Sequence, residues 1–186
     1  MNAVPLVEPP SDSHARYERA LTMLHTHRGN PLAEVDRLLA DDPGFVAGHC
    51  LRAALLVVSG SSNVQTPLAA SITAIESAGA RASEREHRHA GAARAWLDAD
   101  SGRALELYGA IVVDWPRDIL ALTVAHALDF RLGKRRMLRD RPAQALQAWE
   151  ATVPGYASVL AMHAFGLEEN GQRRRALSTA RRALTI

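Results

Sequence analysis

Apolar residues recur at intervals of three and four along most of the chain, which is the spacing of one face of an α-helix. In the first such segment, Tyr17, Ala20, Leu21 and Leu24 follow this spacing. No segment alternates between apolar and polar positions over a useful length, so no β-strand is predicted. The pattern therefore predicts an all-α protein.

Capping residues, glycines and prolines divide the pattern into ten predicted helices. Ser83 and Glu86 are spaced as a capping box, and Thr66 and Asp118 are predicted to cap the fourth and seventh helices. The basic stretch 134–141 is left outside any helix because its apolar pattern is loose. The predicted helices are 14–28, 31–40, 45–59, 67–78, 84–98, 102–113, 119–132, 142–152, 156–170 and 174–184.

The predicted helices group into about five pairs in a single domain over residues 14–186. Residues 1–13, with prolines at positions 5, 9 and 10, are predicted to be a disordered tail. The stretch His87–Asp118 is the clearest pair, with small residues at Ala92 and Ala104 and an aromatic ring at Tyr108 one turn later. This order of small residue, turn, alanine, aromatic residue and closing proline is similar to that of a tetratricopeptide repeat. It predicts a right-handed superhelical array of antiparallel helical hairpins.

More specifically, the chain resembles the tetratricopeptide repeat protein 38 family over residues 41–56, 84–100, 104–130 and 153–171. The resemblance implies an all-helical repeat protein without an established catalytic activity. It also implies that the chain corresponds to the N-terminal half of a longer family pattern, which continues with further helical pairs. Without a polar capping helix after the last pair, we expect Leu177, Leu184 and Ile186 to be exposed.

Composition is that of an ordinary globular protein, with 47% hydrophobic and 23% charged residues. The single cysteine, Cys50, cannot form a disulfide within the chain, which favours a cytoplasmic location. No apolar run approaches the ~20 residues of a membrane span, and the first residues lack the basic start and apolar core of a signal peptide. We therefore expect no membrane association.

Charge is distributed unevenly. The segment from Arg131 to the end carries a formal charge of +7, whereas the rest of the chain carries −5. Such a basic segment can attract an acidic partner or nucleic acid. No aromatic or glycine-rich nucleic-acid pattern accompanies it, so a solvated helix face is favoured and nucleic acid is not the preferred partner.

No residue is predicted to be catalytic, and no cofactor or metal is predicted. His49, His126 and His163 each fall in the first helix of a pair, and His126 and His163 lie one unit apart. Successive units stack too far apart for two imidazoles to share one metal ion, so packed or hydrogen-bonded histidines are favoured. His87 and His89 are expected at a solvated helix start. Cys50 follows His49 directly and points to another side of the helix, which argues against a nucleophile–base pair.

The default binding surface of a helical-repeat array is its concave wall. Trp96 and Phe130 lie 34 positions apart, at equivalent places in two units, and Phe165 lies near the same stripe. The predicted partner-binding residues are Arg52, His89, Trp96, Phe130, Phe165 and Glu169. An aromatic groove with a few charges suits an extended peptide or a partner helix, although these rings could instead fill a curved core.

The leading functional hypothesis is therefore a non-enzymatic scaffold for protein–protein interaction. Its partner would be another protein or peptide, with self-association through the last helix as a further expectation. Two other classes stay open. One is an enzyme or small-molecule binder whose site needs an absent C-terminal half, and the other is a nucleic-acid-associated regulator that uses the basic C-terminal part.

Overall fold

The structure, a computed structural model, describes residues 12–186 except for the side chain of Ser62. Most of the predicted tail, residues 1–11, lies outside the described residues. Within them, ten α-helices and no strand are present, which confirms the all-α prediction. The helices are α1 (Asp12–Thr26), α2 (Pro31–Asp41), α3 (Val46–Ser59), α4 (Gln65–Ser77), α5 (Glu84–Leu97), α6 (Ser101–Asp114), α7 (Ile119–Arg131), α8 (Arg135–Ala145), α9 (Tyr156–Glu169) and α10 (Arg173–Leu184).

Most helix starts follow the predicted capping residues. Ser83 and Glu86 form the capping box of α5. Asp118 caps α7, because its Oδ1 accepts a hydrogen bond of 2.8 Å from the backbone N–H of Ala121. These side chains satisfy N–H groups that have no partner inside the helix.

Two helices, α1 and α4, begin two residues earlier than predicted. The first helix begins at Asp12, two residues before the predicted His14. The predicted cap of α4, Thr66, lies inside the helix, which begins at Gln65 directly after a 3-10 turn over residues 62–64. Ser61 caps that turn, and Val64 is already buried there, so the ordered segment starts earlier than the proline signal indicates.

The largest error concerns α8, which spans Arg135–Ala145 rather than the predicted residues 142–152. Pro142 lies inside this helix, although it removes the N–H that would bond to the carbonyl of Leu138. Contacts from neighbouring helices stabilise the segment. Asn170 of α9 donates to the carbonyl of Arg135 (2.6 Å), and Arg141 pairs with the fully buried Asp129 of α7 (2.8 Å). The basic stretch is therefore helical because of tertiary contacts, which its own apolar pattern does not reveal.

Close approach of α9 to α8 depends on Gly166. A Cβ added there would lie 2.1 Å from the carbonyl oxygen of Leu138. His163, one turn earlier, donates from Nδ1 to the carbonyl of Arg139 at 3.0 Å. The α9 backbone thus packs directly on the α8 backbone, and this contact positions the side chains at Phe165 and beyond.

Consecutive helices pack against each other along the whole described chain, and the predicted small residues form their contacts. Ala92 and Ala104 are fully buried between α5 and α6, with Tyr108 buried beside them. The ring of Tyr108 meets that of His89 edge-on at a centroid distance of 5.8 Å. The hairpin His87–Asp118 therefore has the core that its sequence predicts.

Helix α3 lies at the centre of the fold and contacts α1, α5 and α7 as well as its chain neighbours. Arg131 of α7 donates to the carbonyls of Val57 and Val58 at the end of α3. Nε2 of His25 on α1 lies 3.2 Å from Oγ1 of Thr123 on α7. Helices from the first and fourth hairpins therefore meet, and the odd-numbered helices enclose two clefts between them.

Candidate functional site

Of the six residues predicted to bind a partner, the structure brings two into contact. The rings of Phe130 on α7 and Phe165 on α9 pack edge-on with their centroids 5.5 Å apart. Both rings are exposed, Phe130 to 54%. Glu169 ends α9 one turn after Phe165 and does not line the cleft beside these rings.

Arg52 is held by other parts of the protein. Its Nε donates to Asp36 on α2 at 2.6 Å, and its Nη1 donates to the carbonyl of Pro67 and to Ser71 Oγ on α4. The guanidinium therefore ties three helices together. Its Nε and Nη1 donors are therefore engaged within the fold.

His89 is not at a solvated helix start, because its side chain is only 4% exposed. Its Nε2 donates to Oδ2 of Asp118 at 2.9 Å, across from α5 to the start of α7. The expectation of a solvated residue is wrong because His89 faces inward, against the ring of Tyr108 and the carboxylate of Asp118. His89 therefore connects two hairpins inside the protein.

Trp96 is half-buried and packs on the core at the far end of α5. It lines a shallow pocket with Gly60, Ser61 and Gln65, apart from the cleft that Phe130 and Phe165 line. Equivalent repeat positions do not share one stripe here, because α3 contacts both α5 and α7 and lies between their inner faces. The predicted row of three aromatic rings is thus reduced to a pair.

The first cleft, which we call the polar cleft, opens where the N-terminal turns of α1, α3, α5 and α7 meet. Its volume is about 440 Å³. Its charged lining residues are Glu18, Arg85, Glu86, Arg117 and Asp118, and its aromatic ones include Tyr17, Phe45 and Trp149.

Asp118 is the centre of the polar cleft. Burial raises the pKa of Asp118, but the hydrogen bond and charge of His89, the N–H of Ala121 and the charge of Arg85 outweigh it and leave the pKa below its usual value. The carboxylate therefore stays ionised with its partners in place. Cys50 lines the same cleft, but burial raises the pKa of its thiol well above the ordinary range, so it is not an activated nucleophile.

The second cleft, the apolar cleft, lies between α1, the end of α3, α7 and α9. Its volume is also about 440 Å³. None of its lining residues is Asp, Glu, Lys or Arg; they are Leu24, His25, His27, Val58, Thr123, His126, Ala127, Phe130, Ser158, Ala161, Met162 and Phe165. Phe130 and Phe165 are its most exposed large apolar side chains.

Two imidazoles line the apolar cleft in their neutral form. Desolvation lowers the pKa of His25 to about 4, with a smaller effect from His27. Desolvation lowers the pKa of His126 to about 4 as well, helped by the charge of Arg141. His25 has Thr123 as a hydrogen-bond partner, whereas neither ring nitrogen of His126 has one among the described residues.

A third feature, the C-terminal face, is the outer groove between α9 and α10. Its volume is about 540 Å³, and it is lined by Ala161, Ala164, Phe165, Glu168, Arg173, Ala176, Leu177, Ala180, Ala183 and Leu184. Leu177, Leu184 and Ile186 are exposed, as predicted, with Leu184 at 87%. Arg173, Arg174 and Arg181 on α10 have no acidic partner among residues 12–186.

Most of the apolar cleft escapes sequence reasoning. His126 and Phe130 are one turn apart on α7, and this spacing is the signal that places them on one face. His25, Met162 and Ser158 come from α1 and α9, and no local pattern relates these helices to α7. Only the contact of the first and fourth hairpins brings them together.

Within the described part of the chain, no group of three or more His, Cys, Asp or Glu side chains is arranged to hold a metal ion. None of the helices between residues 12 and 186 is both long and apolar enough to cross a membrane. In comparisons with known proteins, no family model matches the chain and no solved structure matches it significantly. The fold and clefts thus define an all-α protein of packed helical hairpins.

Proposed function

We propose that this protein is a helical-repeat scaffold that binds another protein, and that the C-terminal face is its docking surface. The five packed hairpins and the small-residue contacts of Ala92 and Ala104 support a right-handed array like that of tetratricopeptide repeats. The resemblance to the tetratricopeptide repeat protein 38 family supports the same class. In this proposal the array curls tightly, so that its inner wall forms clefts rather than an open groove.

The observation that carries the proposal is the uncovered apolar groove between α9 and α10. Leu177 and Leu184, on the α10 side of the groove, face outward and are exposed to 54% and 87%. Alanines form the floor of the groove, which allows a helix to approach closely. The chemistry suits an amphipathic helix laid into the groove with its apolar face inward.

The positive charge of α10 indicates which kind of helix would bind in the groove. The arginines at positions 173, 174 and 181 are without acidic partners among the described residues and flank the groove. An acidic partner helix would pair with them, and complementary charge raises the rate and specificity of association. Two copies of α10 would bring like charges together, which favours an acidic partner over self-association.

The test uses a designed peptide of about 18 residues, or five helical turns, with a leucine stripe and a glutamate face. Fluorescence anisotropy should show saturable binding to the wild-type protein. Binding should weaken at least tenfold in the double variant Leu177→Ala/Leu184→Ala. The matched control is Val113→Ala, which removes an apolar side chain of 75% exposure from α6 and should leave affinity unchanged.

Three results would contradict the proposal. They are equal binding by the double variant, equal binding of a peptide with lysines in place of glutamates, and a concentration-dependent dimer in light scattering that the double variant abolishes. A single-stranded oligonucleotide that binds with steep salt dependence, whether or not Leu177 and Leu184 are present, would instead support a nucleic-acid-associated regulator.

A further inference from the structure

We propose that the apolar cleft is a binding site for an uncharged lipophilic molecule that carries a single hydrogen-bonding group, such as a long-chain alcohol. The site is distinct from the docking groove of α10, although Ala161 and Phe165 border both. The argument rests on the size of the cleft, its lack of ionised lining groups and the position of His126.

Size and lining fit a small molecule. The volume of about 440 Å³ lies within the range of roughly 300–1,000 Å³ that is usual for small-molecule sites. Side chains from α1, α3, α7 and α9 form its walls, so a ligand would be enclosed by four helices. The exposed rings of Phe130 and Phe165 would lose contact with water on binding, which favours an apolar ligand.

The lining excludes a charged ligand. It contains no side chain of Asp, Glu, Lys or Arg. Arg131 and Arg141 lie nearby but are occupied, the first by carbonyls of α3 and the second by Asp129. A carboxylate or ammonium group would leave water without gaining an opposite charge, which is strongly unfavourable.

His126 supplies the place for the polar group of the ligand. Its ring lies against Phe165, at a centroid distance of 5.8 Å, and lines the cleft. A polar group in apolar surroundings usually has a hydrogen-bond partner, yet this imidazole has none among the described residues. A hydroxyl can both donate and accept, so it would bond to Nε2, the nitrogen that is not buried, in either neutral tautomer.

The experiment measures displacement of the neutral dye Nile red by 1-decanol at pH 7.5, with the whole chain. We expect saturable displacement with one site per protein. Decanoate and decyltrimethylammonium, which carry opposite charges on the same chain length, should each compete at least tenfold more weakly. Equal competition by all three would show detergent-like adsorption to exposed apolar side chains and would overturn the proposal.

Two variants separate the cleft from the rest of the surface. Ala127→Phe, on the α7 wall, should fill the cleft and weaken decanol binding at least tenfold. Ala110→Phe adds the same ring to an exposed position of α6 and should bind like the wild type. Circular dichroism checks that both are folded, and Ser158→Phe, on the α9 wall of the apolar cleft alone, replaces Ala127→Phe if that variant unfolds. Undiminished binding by a folded cleft-filling variant would contradict the site.

A third variant tests the hydrogen bond. His126→Leu replaces the imidazole by an apolar side chain of comparable size and so removes its two ring nitrogens. The affinity of 1-decanol relative to that of 1-chlorodecane should fall in the variant, while 1-chlorodecane binds unchanged. If this ratio of affinities is the same in wild type and His126→Leu, the role assigned to His126 is wrong.

Discussion

His89 on α5 and His126 on α7 line the two clefts, but their surroundings differ. Nδ1 of both rings is buried without a hydrogen-bond partner among the described residues. Nε2 of His89, however, donates to Asp118, and the same carboxylate accepts from the start of α7 and lies 3.6 Å from Arg85. Nε2 of His126 has no corresponding partner. The first histidine belongs to a network of the fold, and the second is left for a ligand.

The partners available near each imidazole explain why the two histidines have different roles. Asp118 stands at a helix start, where a carboxylate is favoured by the cap and by the helix dipole, and its second oxygen is free to accept from His89. The corresponding carboxylate near His126 is Asp129, but it pairs with Arg141 of α8. The imidazole of His126 therefore faces apolar side chains instead of an acid.

Disturbing the packing of α9, which forms one wall of the apolar cleft, should change the stability of the protein most. Gly166→Ala should lower the free energy of unfolding by about 3 kcal/mol, because its Cβ would meet backbone atoms of α8 that cannot move aside. Amide hydrogen exchange should show loss of protection in α8, α9 and α10, while α5 stays protected. Urea unfolding gives the magnitude.

The control for that change is Gly91→Ala in α5. A Cβ there meets nothing within 4 Å, and Gly91 is exposed inside a helix. We expect this substitution to stabilise the protein by about 0.5–1 kcal/mol, the usual gain of alanine over glycine in a helix. If both substitutions raised, or both lowered, the free energy of unfolding, the close packing of α9 on α8 would be contradicted.

A smaller effect should follow from removing the imidazole of the polar cleft. His89→Leu should cost about 2 kcal/mol, because the buried carboxylate of Asp118 loses its closest side-chain donor. The matched change on the other side, His126→Leu, removes no hydrogen bond and should cost much less. Urea unfolding at pH 7.5 measures both, and equal costs would refute the contrast between the two histidines.

Local sequence signals predict much of the fold but little of the clefts. The capping residues Ser83 and Asp118 and the alanines of α5 and α6 act within one hairpin, so their positions are visible in the sequence. The position of helix α8 is not visible in the sequence, because Pro142 and the arginines indicate a break in the helix. Contacts with α7 and α9 stabilise the helix in spite of them. Likewise, the separation of Trp96 from Phe130 depends on where α3 lies, which no repeat spacing specifies.

The smallest and most specific effect is the pH dependence of His126→Leu. The usual pKa of histidine is 6.5, and desolvation first and the charge of Arg141 second lower that of His126 to about 4 in the folded protein. Between these values the unfolded chain binds the proton and the folded protein does not, so wild-type stability falls as the pH drops from 6.5 towards 4.

The His126→Leu variant has no imidazole at this position, so this part of the fall in stability does not occur in it. Relative to its difference from wild type at pH 7.5, it should gain about 1 kcal/mol at a pH of about 5.8. Urea unfolding across this range measures the gain, to which His25 contributes equally in both proteins. A difference that stays constant with pH would mean that His126 is as well solvated in the folded protein as in the unfolded chain, and the apolar cleft would then not be the dry site that a lipophilic ligand requires.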